Sequence, residues 1–580
     1  MTAYTPPLRD FRFLLADVFG MDDLAALGGE ELTEDTIMAI AETFGDFASN
    51  RLAPLNASAD KGCVFDQGAV RTPAGYGEAW RTFTADGWNG LACPEEWGGQ
   101  GLPHVVHHMM REMLVSGCIA FSLFHELNFG VIKAVGKHGT DWMKTLVLPH
   151  LVSGHWAGTM CLTEPHAGSD LGLIRTRASR RPDGTFAITG NKIFITCGEH
   201  DLTENIMHLV LARIDGAPPG VGGISLFLVP KFQLVDGDRP GALNGVACQN
   251  IEEKMGLHGS PTCAMGFEDA VGWLVGEENR GLGHMFTMMN AARLSVGVQG
   301  VAVGETALQA AEAYAVQRLQ GRAGGGKAAA DAIVHHPDIR RELTSMRALV
   351  EGGRALAWWI SLELDIAARH PDAARRGRAE AFLAVATPIF KAALSDYGFD
   401  VANRAVMIHG GHGYIREMGV EQLVRDVRIA AIYEGTNGIQ ARDLVMRKLP
   451  AEDGAAVAGV LAEMRAFLSE RRLPHIDGPV LAAVARLEET SAELRHALQS
   501  DADAALSGAA DYLNQFALVL LGYLWARMAR AAAGPEPFPR RKLQCAEFFV
   551  RRILPRAEAH AAAAVAGAVQ PLASELLPAP

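Results

Sequence analysis

The sequence predicts an α+β multidomain fold. It comprises an N-terminal helical domain, a middle antiparallel β-barrel or sandwich, a C-terminal helical bundle and an extra C-terminal helical domain. Three observations predict it. The 580 residues exceed one compact domain, since domains cluster at roughly 100–200 residues. Hydrophobic residues are 49% and charged residues 21% of the chain, the balance of a globular protein, and abundant alanine with few aromatics favours helices. The apolar spacing switches from helical to strand-like near residue 158 and back near 283.

Taken in order, residues 1–35 read as an N-terminal extension. Residues 36–157 read as helical, broken by a loop region near 54–76 and by the Gly-rich turn EEWGGQGLP at 95–103. Within 158–282, the runs TFAITG (185–190), KIFIT (192–196), HLVLAR (208–213) and ISLFLVP (224–230) are bounded by Gly, Pro and Asp, which are strand signals. Gly190-Asn191 is expected to form a hairpin turn, because both residues tolerate positive φ. From 283 to 450, Leu294, Val298, Val301, Leu308, Ala311 and Ala315 recur at helical steps, as do Met346, Leu349, Val350, Leu356 and Ile360. A Gly- and Ala-rich stretch at 321–334 reads as a flexible loop. Residues 451–580 are Ala-rich and helical. No G-x-G-x-x-G occurs and β and α do not alternate, which disfavours a Rossmann fold.

The formal charge of −13 repels phosphate backbones, so no nucleic-acid partner is expected. Eight dispersed cysteines without a C-x-x-C pair argue against a disulfide framework and a thiolate zinc site, and point to a cytoplasmic location. No secretory signal is visible at the N-terminus. The apolar stretch Phe516 to Trp525 is too short to cross a bilayer, and the LPAP end carries no peroxisomal address. His258 near glutamates, and His104, His107, His108 and Glu112, lack a third ligand at suitable spacing, so no metal is assigned.

Four motifs carry the chemistry. LTEPHAGSD (162–170), GNKIFIT (190–196), IHGGHGY (408–414) and RDVRIAAIYEGTNGIQ (425–440) resemble, in this order and at these separations, the acyl-CoA dehydrogenases. The resemblance covers about 36–450. The chain also resembles a longer subgroup, with an N-terminal extension and an extra helical domain, that includes enzymes for broad acyl-CoAs and for 3-methylthiopropanoyl-CoA.

The resemblance implies FAD as cofactor and α,β-dehydrogenation of an acyl-CoA thioester to the trans-2-enoyl-CoA. Such chemistry needs a placed base, donors aimed at the developing enolate, and a hydride acceptor that side chains cannot supply. By resemblance Glu434 is the α-proton base and its backbone N–H donates to the thioester carbonyl, while Gly435 leaves room for the substrate. An isolated Glu at that place would read as a solvated helix end. Leu162, Thr163 and Ser169 are implied in contact with FAD, Ser169 also with the CoA side; taken alone, these are ordinary turn residues. Phe194 stands where the family places an aromatic against the flavin ring, with Thr196 near its N5, although an aromatic–Thr alternation also describes any half-buried strand.

Arg318, assisted by Gln320, is implied to reach the FAD pyrophosphate of a neighbouring subunit, and Arg293 to contact CoA; the ordinary reading of an Arg at a helix end is a solvated cap. Gly410 and Gly411 would let backbone approach the adenosine diphosphate part of FAD, with Thr436, Asn437 and Gly438 on the adenine side. Met407 replaces the family's usual glutamine, which removes a polar contact there. The implied partners are an acyl-CoA, an electron-transfer flavoprotein as electron acceptor and a second or further copy of the chain, as dimer or tetramer. An acyl-CoA oxidase, or a non-catalytic DNA-binding or scaffold relative, are the alternatives on the same fold. The acyl group, either 3-methylthiopropanoyl or a short to medium fatty chain, is left open.

Overall fold

The computed structural model describes residues 4–27, 32–235, 237–323 and 330–567. Part of the expected loop at 321–334 (324–329) and the terminal LPAP lie outside the described residues. The chain forms two compact units: Met1–Gly45, His104–Glu112 and Val296–Pro580 in one, Asp46–Pro103 and Met113–Ser295 in the other.

The second unit contains the strands. A short hairpin, β1 (Val64–Asp66) and β2 (Ala69–Arg71), lies inside the loop region expected near 54–76. The main sheet comprises β3 (Trp156–Cys161), β4 (Arg177–Arg180), β5 (Phe186–Thr196), β6 (Asn205–Ile214), β7 (Ile224–Pro230), β10 (Val246–Ile251) and β11 (Thr262–Leu274), and a side hairpin is made of β8 (Phe232–Val235) and β9 (Arg239–Leu243). Pairing runs from β11 to β5, β4, β6 and β7, and β7 returns to β11, so five strands close a barrel. β10 extends it beside β11, and β3 beside β6.

Two features differ from expectation. The barrel is mixed, because β6 runs parallel to both β3 and β4; the chain between β3 and β6 is long enough for the crossover that parallel pairing requires. Gly190-Asn191 is not a turn. It lies inside the continuous strand β5, paired with Phe267 and Gly266 of β11. Gly190 (φ +154°) is needed there for contact, since a Cβ would stand 2.8 Å from the Cα of Thr176.

Both faces of β6 and β7 are covered, which is why they read as near-continuous apolar runs. Val210, Ala212, Phe227 and Val229 fill the barrel with Phe186, Ile188 and Phe267. Leu209, Leu211, Leu226 and Leu228 pack outward onto Val131, Val135, Leu151 and Met288. The helix His104–His138 passes the length and hydropathy test for a membrane span, but 89% of its most apolar window is buried in the protein, as in a core helix. It is kinked at Cys118, whose backbone is extended (φ −157°, ψ 98°).

The first unit is built on the helices Pro337–Arg369 and Ala373–His409, with the second half of Gly281–Gln317 packed across them. A Cβ on Gly398 would come within 2.5 Å of the Gly300 carbonyl oxygen, so two glycines let these backbones touch. The C-terminal helix Ala509–Ala531 seats Trp525 against Gly352, and its indole N–H donates to the Ala348 carbonyl at 2.9 Å. The N-terminal extension joins the same core through Asp10. Its carboxylate accepts from Arg354 at 2.6 Å and from Lys542, while Arg354 also donates to Glu112 and Glu305. Burial pushes the Glu112 carboxyl up to about 7 against the pull of Arg354. All eight cysteines are unbridged and seven are buried.

Candidate active site

The turn after β3 carries the first group of residues. Leu162 is buried, Thr163 half-buried and Ser169 exposed. The turn closes on itself through reciprocal backbone bonds between Glu164 and Ala167, at 2.9 and 3.0 Å. It is fastened to β5 twice: the Ile193 N–H donates to the Thr163 carbonyl at 2.9 Å, and Lys192 Nζ donates to the Leu162 carbonyl at 3.0 Å.

Behind the turn, Lys192 also meets Glu164 at 2.8 Å, with side chains 0% and 3% exposed. The Glu164 carboxylate accepts from the N–H groups of Arg175 (2.7 Å) and Thr176 (3.0 Å) and from the Thr176 hydroxyl (2.6 Å). Burial pushes the Glu164 carboxyl up, but Lys192 and these donors outweigh it and hold the group below the usual range. Burial is also the largest influence on Lys192 and draws its ammonium below the ordinary lysine range, against the pull of Glu164. Desolvation consumes most of what such a pair gains. Its effect is to fix where the turn sits.

Phe194 follows two residues later in a left-handed backbone (φ +59°), 59% exposed. This is the irregularity where β5 shifts register against β11, between the Cys263 and Met265 pairings. A bulge of this kind re-aims a side chain. It presents the Phe194 ring outward, with half-buried Thr196 next along the strand. The structure thus gathers Leu162, Thr163, Phe194 and Thr196 around one fastened turn and strand. Lys192 and Glu164 were not singled out from sequence. Strict alternation places Lys192 on the open face with Phe194, and the bulge reverses that parity.

Arg293 lies inside the helix Gly281–Gln317 and not at a helix end, and is only 9% exposed. A solvated cap is therefore not its role.

In the helical unit, Glu434 sits between a short 3-10 turn ending at Ala431 and the helix Asn437–Asp443. Glu434 (φ +57°) and Gly435 (φ +87°) are both left-handed. For a non-glycine residue that conformation costs about 1–2 kcal/mol, and such strain concentrates at functional sites. The side chain is half-buried and its Oε2 is closed off from solvent.

Buried groups hold the loop in this shape. Lys391 Nζ donates to the Gly435 carbonyl at 2.8 Å and to Asn437 at 3.0 Å, and Gln440 donates to the carbonyls of Glu434 and Gly435 at 3.2 and 3.3 Å. Asn437 turns toward the helix Ala373–His409, meeting Ser395, Asp396 and the Ala392 carbonyl. The Thr436 hydroxyl caps the next helix through the Ile439 N–H at 3.3 Å, and Gly438 stands exposed beside it. Lys391 left no signal in sequence beyond being a polar residue in an apolar stretch, and Gln440 lies among other polar residues in the short helix Asn437–Asp443.

The third group is also in this unit. Arg318 and Gln320 are exposed just past the end of Gly281–Gln317, their side chains 3.5 Å apart. Gly410 (φ +60°) and Gly411 begin the open turn Gly410–Tyr414. The Tyr314 hydroxyl lies 2.8 Å from His412 Nδ1 and its ring stacks on His409 at 4.3 Å, which brings the two segments side by side. Val316, Leu319, Met407 and Tyr414 on them are 59–85% exposed. His258, weighed as a metal ligand, has both ring nitrogens engaged, by Asp60 at 2.9 Å and the Lys254 carbonyl at 2.7 Å.

Comparison with known proteins assigns these segments in chain order. Residues 34–155, 159–270 and 279–449 match the N-terminal, middle and C-terminal domains of acyl-CoA dehydrogenase, and residues 460–574 match the domain described as "Acetyl-CoA dehydrogenase C-terminal like". A 3-methylmercaptopropionyl-CoA dehydrogenase of Ruegeria pomeroyi is 41% identical over 567 residues, covering 95% of this chain and 96% of its own. A broad-specificity linear acyl-CoA dehydrogenase of Mycobacterium tuberculosis is 32% identical, with 96% of each chain covered. The crystal structure of Caenorhabditis elegans ACDH-11 in complex with C11-CoA shares the fold at a TM-score of 0.77, with 17% identity and 97% and 96% of the two chains covered. Three consecutive domain matches, on a barrel flanked by helices, leave one assignment: the chain belongs to the acyl-CoA dehydrogenase family.

Proposed function

We propose that the protein is an FAD-dependent acyl-CoA dehydrogenase that converts an acyl-CoA to its trans-2-enoyl-CoA, with Glu434 as the base. The observation that carries the reading is the Glu434 loop, a strained left-handed carboxylate residue clamped by Lys391 and Gln440, with Oε2 shielded from water. Rigid placement of a base is what removal of a weakly acidic α-proton requires.

The residues present fit a flavin. Phe194 offers an exposed aromatic face, Thr163, Ser169 and Thr196 offer hydroxyl donors, and Gly410 and Gly411 stand open with no atom within 4 Å of a Cβ built on either. FAD, when bound, supplies the acceptor for the β-hydride. The chain's own residues do the rest. Glu434 Oε takes the α-proton, its N–H donates to the thioester carbonyl oxygen, and Gly435 keeps that approach free of a side chain. Leu162, Thr163, Ser169, Phe194 and Thr196 hold the flavin, and Arg293 holds the CoA portion. Arg318, Gln320, Thr436, Asn437 and Gly438 attend the diphosphate and adenine.

The exposed apolar side chains beside Arg318 and Gly410 support a homo-oligomer in which a second copy covers them. The proposed acyl group is 3-methylthiopropanoyl or a short to medium fatty chain, supported by the Ruegeria pomeroyi relative. The proposed electron acceptor is an electron-transfer flavoprotein and the proposed location cytoplasmic.

The test is anaerobic titration of purified protein with acyl-CoAs of graded length. The wild type is expected to be yellow and to bleach. Glu434→Gln should stay yellow and bleach ~10²–10⁴-fold more slowly. A variant bleaching at the wild-type rate, or a protein that takes up no FAD, refutes the assignment.

A further inference from the structure

We propose that a basic cleft at the start of the helix Gly281–Gln317 is a second ligand site, built for a phosphate group and separate from the substrate face of that helix. The cleft has a volume of about 510 Å³, and Lys137, His138, Arg280 and His284 line it together with the backbones of Gly276 and Gly283. That volume suits a small organic phosphate.

Three features point to an anion. The charge is the first. Lys137 and Arg280 are both exposed and, among the described residues, neither has an ion-pair partner. They face one carboxylate on the rim, Glu277, so cations are in excess before either histidine gains a proton. This is a local reversal in a chain whose formal charge is −13.

The paired imidazoles are the second. His138 and His284 lie 4.5 Å apart, His138 Nε2 is 2.8 Å from the Thr287 hydroxyl, and His284 Nδ1 is buried with no hydrogen-bond partner. Burial, then His284, Lys137 and Lys144, hold the His138 pKa below its ordinary value. A bound dianion would relieve that crowding.

Backbone is the third. The cleft opens at the first turn of a 37-residue helix, where N–H groups have no partner within the helix. Gly283 leaves this end open, with no atom within 4 Å of a Cβ built there.

The site is distinct from the one proposed for CoA. Arg293 follows His284 by nine positions, which at 3.6 residues per turn is about half a turn out of phase and roughly 13 Å along the axis. The cleft therefore lies on the opposite side of the helix from Arg293, and the inference stands whether or not the proposed reaction is correct.

The test is calorimetric titration of the FAD-loaded enzyme with inorganic phosphate and with glycerol 3-phosphate, comparing wild type with the double variant Lys137→Ala/Arg280→Ala. Both substituted residues are exposed, so the fold should be retained; unchanged far-ultraviolet dichroism checks this. Saturable binding that weakens roughly tenfold or more in the variant is expected. Equal affinities for the two probes identify the phosphate group alone as the ligand, and tighter binding of the ester adds the rest of the cleft. Anaerobic bleaching by acyl-CoA should be unchanged. Absence of saturable binding, or equal binding by the variant, overturns the site. A variant that needs more acyl-CoA for bleaching overturns its separateness.

Discussion

Replacing Lys192 by methionine tests how the turn proposed to hold the flavin is fastened. The change keeps side-chain length but removes two donations, to the Leu162 carbonyl and to Glu164. Glu164, 3% exposed, keeps three donors from Arg175 and Thr176. Removing one partner of a buried pair costs about 3–5 kcal/mol, and the remaining donors place Lys192→Met near the lower end, about 3 kcal/mol. If the turn is where that energy is felt, FAD affinity falls on the order of 100-fold, at about 1.4 kcal/mol per tenfold.

The pH dependence has a definite sign. In the wild type the Glu164 pKa is lowered, so its contribution is present above the unfolded carboxylate pKa and fades as pH falls through the folded value. Without Lys192, burial dominates and raises that pKa, so the variant's deficit should be largest near pH 8 and shrink toward pH 5. The double change Glu164→Gln/Lys192→Met removes both charges and should recover most of the loss. FAD binding followed by flavin fluorescence, with thermal melting alongside, reads all three proteins. A single variant within about 0.5 kcal/mol of wild type at pH 8 refutes the reasoning, as does a double variant no better than the single one.

Other outcomes follow from the same structure. Because Glu112 is pushed up to about 7, an unfolded carboxylate ionises first as pH rises and the buried one lags. That contribution to stability therefore falls between about pH 4.5 and 7. Glu112→Gln should remove that part of the slope in urea midpoints measured from pH 5 to 8, and an unaltered slope counts against it. Met407→Asp/Tyr414→Asp changes only exposed side chains and should reduce oligomer mass in light scattering; unchanged mass excludes this face from the interface. Trp525→Ala removes a fully buried indole and should cost about 3–5 kcal/mol. A melting temperature equal to wild type would show that the C-terminal helices are not part of the bundle core.

What sequence made legible was local. ISLFLVP could be read as a strand because both its faces are apolar, and its seven residues are all buried in β7. Glu434 is singled out only by the resemblance of its YEGTNG motif to the family, and the left-handed pair at 434–435 accounts for the glycine that follows it. Reading failed where a residue answers to something distant in the chain. Gly190 looked like a turn, but its missing side chain accommodates Thr176. Strict alternation would put Lys192 on the solvent face, but the bulge at Phe194 reverses that parity and buries it. Lys391 is separated by 44 residues from the carbonyl it holds, and no periodicity encodes that pairing.

Asp10 reaches a guanidinium 344 positions away and an ammonium 532 positions away. During synthesis at about 5–20 residues per second, the tenth residue leaves the ribosome roughly half a minute to two minutes before its last cation exists. The Asp10 carboxylate can therefore meet Arg354 well before Lys542 has been made, and its set of ion pairs is complete only after residue 542. Closure of this buried charge cluster in the helical unit thus waits on Lys542, which pairs with a carboxylate translated 532 residues earlier.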